Sequence, residues 1–141
     1  MASNNQANFS GTWHLVKSHN LESFLKECGV GFMRRNLAKA VSPVVYITQD
    51  GDNFVIKTDT VHRSVTLDFS VDVKFKSFLP WEAEEVLMVA TWEGDKLVIK
   101  TVERENGPVF SRYIEEDHLV LEQEMNSVTC KRYFKRKEVA N

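Results

Sequence analysis

The hydrophobic period changes twice along this chain. Residues from Phe9 to Lys17 read as a strand. Between Leu21 and Ala40 the apolar positions are Leu21, Phe24, Leu25, Cys28, Phe32, Met33, Leu37 and Ala40, and that spacing is helical. Gly29-Val30-Gly31 interrupts it, because two glycines in three residues favour a turn. The spacing therefore predicts two short helices, about Leu21–Cys28 and Phe32–Ala40. Asn20 is placed to cap the first, and Pro43 bars the second from continuing. Beyond Pro43 everything reads as strand and turn. Strands are predicted over Val44–Gln49, Phe54–Thr60, Ser64–Phe69, Val71–Phe75, Val86–Trp92, Leu97–Val102, Val109–Glu115, His118–Met125 and Val128–Lys135. Asp50-Gly51-Asp52-Asn53, Glu93-Gly94-Asp95, Glu105-Asn106-Gly107-Pro108, Glu116-Asp117 and Asn126-Ser127 supply turns. About ten strands with such short links form an antiparallel meander. A meander that long closes on itself and so removes its edges. The expected fold is all-β: a ten-stranded antiparallel up-and-down β-barrel with a helix-turn-helix insertion after the first strand. One domain is expected over residues 1–141, with residues 1–7 flexible. A β-sandwich is the alternative.

The last strand carries the first chemical signal. One face holds Val128, Cys130, Arg132 and Phe134; the other holds Thr129, Lys131, Tyr133 and Lys135. The second face is the wet one. The first is apolar except for a guanidinium that stays charged. A buried charge without a partner is costly, so Arg132 must meet an anion. That anion is either an inward carboxylate, such as Glu103 or Glu122, or an anionic ligand.

Charge and composition narrow the classes. The net charge is −2, which argues against a general nucleic-acid binder. The two cysteines, Cys28 and Cys130, fit neither a metal motif nor a disulfide framework, and read as reduced thiols of a cytoplasmic protein. The polar start, Met1 to Gln6, lacks the apolar core of a signal segment, and no apolar run is long enough to span a bilayer. Enzyme readings are poor. Gly29-Val30-Gly31 lacks the context of a dinucleotide site, and no phosphate loop or His-Glu-x-x-His is present. His14, His19, His62 and His118 are scattered. No catalytic residue, metal ligand or cofactor is expected.

Several stretches resemble the intracellular lipid-binding protein family, which includes the fatty-acid-binding and the cellular retinol- and retinoic-acid-binding proteins. Asn8-Phe9-Ser10-Gly11-Thr12-Trp13 matches its opening strand, and Gly29-Val30-Gly31-Phe32 with Arg35 its helical unit. Gln49-Asp50-Gly51-Asp52 and Ile56-Lys57-Thr58 match its first hairpin. Trp92-Glu93-Gly94-Asp95-Lys96-Leu97 is similar to a retinol-binding hairpin, and Cys130-Lys131-Arg132-Tyr133-Phe134-Lys135 matches the family's ending. The resemblance covers Phe9 to Lys137. It implies a carrier that holds one apolar ligand inside a barrel, its polar head near the last strands.

The same resemblance implies the site. The carboxylate-binding branches use an Arg on the eighth strand and Arg-x-Tyr on the last; here these fall on Arg112 and Arg132, with Phe134 in the Tyr position. Retinol carriers place Gln at both Arg positions and Phe at the third. This chain thus joins carboxylate-type arginines to a retinol-type Phe134. Alternation does not assign Arg112 inward, because both faces of its strand are partly apolar; only the resemblance does. The expected ligand is a long-chain fatty acid or similar apolar carboxylate. A retinoid, or a structural or interaction barrel with a vestigial cavity, is the alternative.

Parity adds wall residues. Thr58, Thr60 and Thr101 share the inward face with Phe54, Ile56, Leu97 and Ile99, which suggests a partly hydrated cavity or else threonines placed for their β-propensity. Met88 is expected on the wall, and the resemblance implies Phe24, Val30 and Leu67 along the tail and His62 at the portal. Phe78-Leu79-Pro80-Trp81, followed by Glu82, Glu84 and Glu85, reads as a portal edge meeting ligand tail or membrane, or else as a satellite core. Lys26, Arg34, Arg35 and Lys39 cluster on the helical unit, which the resemblance implies is a lid over the barrel mouth; the cluster reads as a solvated charged face, or else as a lid in transient contact with an anionic membrane. A cytoplasmic monomer is expected, with nuclear entry left open.

Overall fold

The computed structural model describes residues 7–104 and 106–137. The flexibility expected of residues 1–7 concerns, apart from Ala7, residues outside that range. So does Glu105 of the predicted turn. Ten strands form one antiparallel sheet: β1 (Gly11–His19), β2 (Val44–Asp50), β3 (Asn53–Asp59), β4 (Ser64–Ser70), β5 (Phe75–Phe78), β6 (Glu85–Glu93), β7 (Lys96–Thr101), β8 (Val109–Glu115), β9 (His118–Met125) and β10 (Val128–Arg136). Helices α1 (Leu21–Glu27) and α2 (Phe32–Ala40) stand between β1 and β2.

The meander closes through β1, which pairs with both β2 and β10. Its two free edges, β4 and β5, share no backbone ladder. Side chains span that gap: the Phe69 and Phe75 rings stack at 4.8 Å, and Ser77 Oγ donates to the Thr66 carbonyl at 3.4 Å. The barrel is therefore nearly closed. An aromatic cluster fills one part of its interior. Phe54 stacks on Phe69 at 5.3 Å, Phe9 stacks on Trp92 at 6.0 Å, and Trp13 is fully buried with its indole N–H on the Phe9 carbonyl at 2.9 Å. Among the described residues no helix is long and apolar enough to cross a membrane.

Two local expectations need correction. Asn20 stands at the start of α1, but its φ of 66° is left-handed and its side chain does not cap the helix; the amide donates instead to the Thr129 carbonyl at 3.0 Å. It ties α1 to β10 rather than to itself. The strand predicted over Val71–Phe75 is a turn as far as Lys74. Asp72 takes φ 66° there, a conformation Asp tolerates, while its N–H binds the Ala90 carbonyl at 2.8 Å. The apolar Val71 is buried as a corner, which the alternation misreads as strand.

Gly11 is the glycine whose backbone matters most for closure. Its φ of +136° is one that side chains avoid, and a Cβ there would sit 3.1 Å from Arg136 Nε. That arginine lies over the Trp13 ring at 4.4 Å and donates to the Ser10 carbonyl at 3.2 Å. Gly11→Ala is expected to cost about 1–3 kcal/mol, the usual toll of a strained backbone position. An unchanged urea midpoint would contradict this account of the β1–β10 seam.

Candidate ligand cavity

A row of paired residues crosses five strands inside the barrel. Leu97 of β7 pairs with Arg112 of β8, Arg112 with Leu121 of β9, Leu121 with Arg132 of β10, and Arg132 with Ser18 of β1. The two arginines thus stand two strands apart with Leu121 between them. Ser18 enters the row because β1 carries a bulge between Leu15 and Lys17. The extra residue, Val16, is left exposed, and the parity behind it flips. Arg132 Nε donates to Ser18 Oγ at 2.9 Å.

Above this row lies a cavity of about 450 Å³, within the range of small-molecule sites. Arg112, Arg132 and Phe134 all line it. So do Val30, Thr58, Thr60, His62, Leu67 and Met88. Phe24 and Thr101, expected on the same wall, do not. Phe24 is fully buried between α1 and the barrel, with Leu21, Leu25, Val30 and Cys130 and edge-on to Trp81 at 5.7 Å. Amphipathic helix packing consumed it. Thr101 lies under the following turn, where Gly107 approaches its hydroxyl so closely that no Cβ would fit. Thr60 reaches the rim, but its hydroxyl donates to the Arg63 carbonyl at 3.1 Å within the β3–β4 turn.

The electrostatics of the two arginines differ. Arg112 is 7% exposed, its NH1 has no hydrogen-bond partner among the described residues, and burial pushes its guanidinium down to about 10, so it stays charged near neutrality. Arg132 is half-buried, and burial lowers it too. Among the described residues neither lies within 4.0 Å of a carboxylate. The two carboxylates weighed as partners for Arg132 point elsewhere. Glu103 is exposed, and Glu122 accepts from the Tyr113 hydroxyl at 3.2 Å and lies 3.8 Å from Lys131 Nζ. Gln123, one inward step beyond Leu121, is buried on the same wall with its Oε1 unpaired. Gln123 is a further residue of this wall that the alternation of Leu119, Leu121 and Gln123 along β9 signals, a polar group on an apolar face like Arg132.

The mouth is built from α2, the β3–β4 turn and the loop between β5 and β6. Phe78, Leu79, Pro80 and Trp81 line the cavity edge, yet Leu79 is 1% exposed and Trp81 packs on Phe24 and Phe110. The segment is both rim and satellite core. Of the lid cations, Lys26 and Arg34 are exposed, and Arg34 donates to the Trp81 carbonyl at 3.1 Å. Arg35 is folded into the helical unit: it donates to the Val30 carbonyl at 2.7 Å and lies 3.7 Å from Glu22.

A sequence model of the lipocalin / cytosolic fatty-acid binding protein family matches residues 10–137. The chain belongs to that family. Retinol-binding protein 1 of Rattus norvegicus is 32% identical over 129 residues, covering 91% of this chain and 96% of its own. The fatty acid-binding protein of the mite Tyrophagus putrescentiae is 33% identical over 127 residues, covering 90% and 96%. The solved structure of human cRBP IV superposes with a TM-score of 0.85 at 31% identity, covering 93% of this chain and 99% of its own. The fold is thus shared with cRBP IV, and the relatives differ in the ligand their names declare.

Proposed function

We propose that this protein is a non-catalytic intracellular carrier that encloses one long-chain fatty acid or similar apolar carboxylate. The tail lies along Val30, Leu67 and Met88, and the head group faces Arg112 and Arg132. The observation that carries this reading is Arg112, a charged group dehydrated on the cavity wall with no carboxylate of the described residues within 4.0 Å to neutralise it. A guanidinium offers a planar fork that matches a carboxylate in two hydrogen bonds. Burying a ~16-carbon tail supplies several kcal/mol, at roughly 0.8 per methylene less ordering costs. The names of the mite and other fatty acid-binding relatives support the ligand class. The reading requires no cofactor or metal.

Phe134 and the retinol-binding relatives favour a second reading, a retinoid ligand. Two internal arginines then favour the acid over the alcohol. The cavity weighs against a barrel with a vestigial interior. The exposed Phe32 and Met33 beside Arg34 support a transient contact of the lid with anionic membrane. A cytoplasmic monomer fits this role.

Native mass spectrometry of the purified protein, with organic extraction of what co-purifies, tests the reading. Fatty acids at about one per chain are expected, by the affinity such a tail provides. An extract with polyene absorbance would shift the assignment to a retinoid. No bound lipid, and no uptake of oleate or retinoic acid afterwards, would overturn the carrier reading.

A further inference from the structure

The cavity is not the only space that reaches Arg132. A surface cleft of about 410 Å³ lies between β1, the start of α1 and the segment joining α2 to β2. Ser18, Ser23 and Ser42 supply hydroxyls to it, and Glu22, Lys39 and Arg132 supply charge. Leu21, Val41 and Arg132 line both the cleft and the cavity. These three residues are the boundary that the two spaces share. Arg132 stands in it, its Nε held by Ser18. Lys39 Nζ lies 3.0 Å from Glu22 Oε1, with both side chains about half exposed. Two cations therefore face one carboxylate, and the cleft carries a positive excess.

We propose that this cleft receives the phosphate monoester head of a single-chain lipid whose acyl tail lies in the cavity. The inference rests on the carrier reading and extends it to a second ligand class. A carboxylate meets Arg132 from inside and has no need of the cleft. A phosphate monoester carries about −1.5 to −2 charge and three acceptor oxygens. Those oxygens suit a guanidinium fork, an ammonium and a set of serine hydroxyls. A displacement of Leu21, with Arg132 turning about its Ser18 bond, joins the two spaces along the lipid's glycerol. A zwitterionic choline head would instead bring a cation against Lys39. Free phosphate shares the head-group chemistry but lacks the tail, and the shared wall residues favour the lipid.

The test is calorimetric titration of the delipidated full chain with monomeric 1-oleoyl lysophosphatidate, with oleate and with inorganic phosphate. Lys39→Glu reverses the excess charge at an exposed position, and Ser42→Trp obstructs the cleft from outside. Each is expected to weaken lysophosphatidate about tenfold while oleate stays within about twofold, since rim charge and access act on the head group alone. Lys39→Arg should retain both affinities. Unbound oleate with lysophosphatidate still bound in a Lys39-dependent way would sink the carboxylate reading and uphold this one. Equal losses for both lipids, or no loss for lysophosphatidate, would overturn the cleft. Inorganic phosphate bound as tightly as the lipid would also overturn it, by showing a free-anion site.

Discussion

Arg112→Leu is expected to stabilise the lipid-free barrel and to destroy its grip on a fatty acid. Both effects come from one cause. Arg112 holds a charge on a wall where its NH1 meets no acceptor, and the folded state bears the dehydration of that charge. Even a buried ion pair, replaced by packed apolar side chains, often leaves a protein equally stable or about 1–4 kcal/mol more stable, and Arg112 has no such partner among the described residues to lose. Leucine on β8 would extend the row between Leu97 and Leu121, its paired neighbours. The delipidated variant should therefore unfold at higher urea. Binding moves the other way, because a carboxylate entering the cavity would lose its buried counter-charge. Truncating one partner of such a pair costs roughly 2–5 kcal/mol, so oleate affinity should fall by at least about 30-fold. The two readouts separate this account from a structural one. If Arg112 held the barrel together, the variant would unfold earlier and any loss of binding would follow from that.

Arg132 supplies the control. It is half-buried, its Nε is already held by Ser18, and it borders the outer cleft as well as the cavity. Its charge is thus less dehydrated than that of Arg112. Arg132→Gln should weaken oleate strongly but change the stability of the lipid-free protein little.

The barrel was legible because period-two alternation and short turn signals survive in nearly every strand, and the helical pair because its period differs. The head-group row was legible only in part. Arg132 stands out by itself, since one face of β10 is apolar around it. Arg112 does not, because Val109 and Tyr113 blur the two faces of β8, and family resemblance alone pointed inward. Ser18 was hidden for a different reason. A bulge at Val16 flips parity within β1, and nothing in Leu15-Val16-Lys17-Ser18 announces it. Phe24 and Thr101 show the limit of parity itself. Phe24 belongs to α1, which packs it against the barrel rather than into the cavity, and a turn folds over Thr101 before the cavity is reached. Arg34 and Arg35 stand out in the sequence only as charge, whereas the Trp81 and Val30 carbonyls that they bind belong to no pattern of side chains, and the same holds for Arg63.

Those carbonyls lead to the second large effect, on the rate of ligand exchange. Three cations from three elements hold the loop between β5 and β6. Arg63 donates to the Pro80 and Glu82 carbonyls at 2.8 and 3.0 Å, Arg34 to the Trp81 carbonyl at 3.1 Å, and Arg104 grips the Glu82 carboxylate with two bonds of 2.8 Å. The tethered residues Pro80, Trp81 and Glu82 form one edge of the cavity mouth. Each bond is exposed, so each contributes little to global stability. Together they oppose the local opening through which a ligand must pass. Losing about 1.4 kcal/mol from that closed state raises an opening equilibrium tenfold. Arg34→Ala combined with Arg63→Ala should therefore speed both uptake and release of a fluorescent fatty acid by about tenfold, with the equilibrium affinity nearly unchanged. Stopped-flow transfer to acceptor vesicles measures this directly; unchanged release would mean that the ligand leaves elsewhere. Acid should act through the remaining tether. The Arg104 hydrogen bond holds the Glu82 carboxyl below its ordinary value, so that pairing is complete near neutrality and is lost only as pH falls through the depressed value. Release should accordingly be flat around neutral pH and accelerate only in strong acid. In the Arg34/Arg63 variant, where Arg104 alone restrains the loop side chain, that acid limb should be steeper.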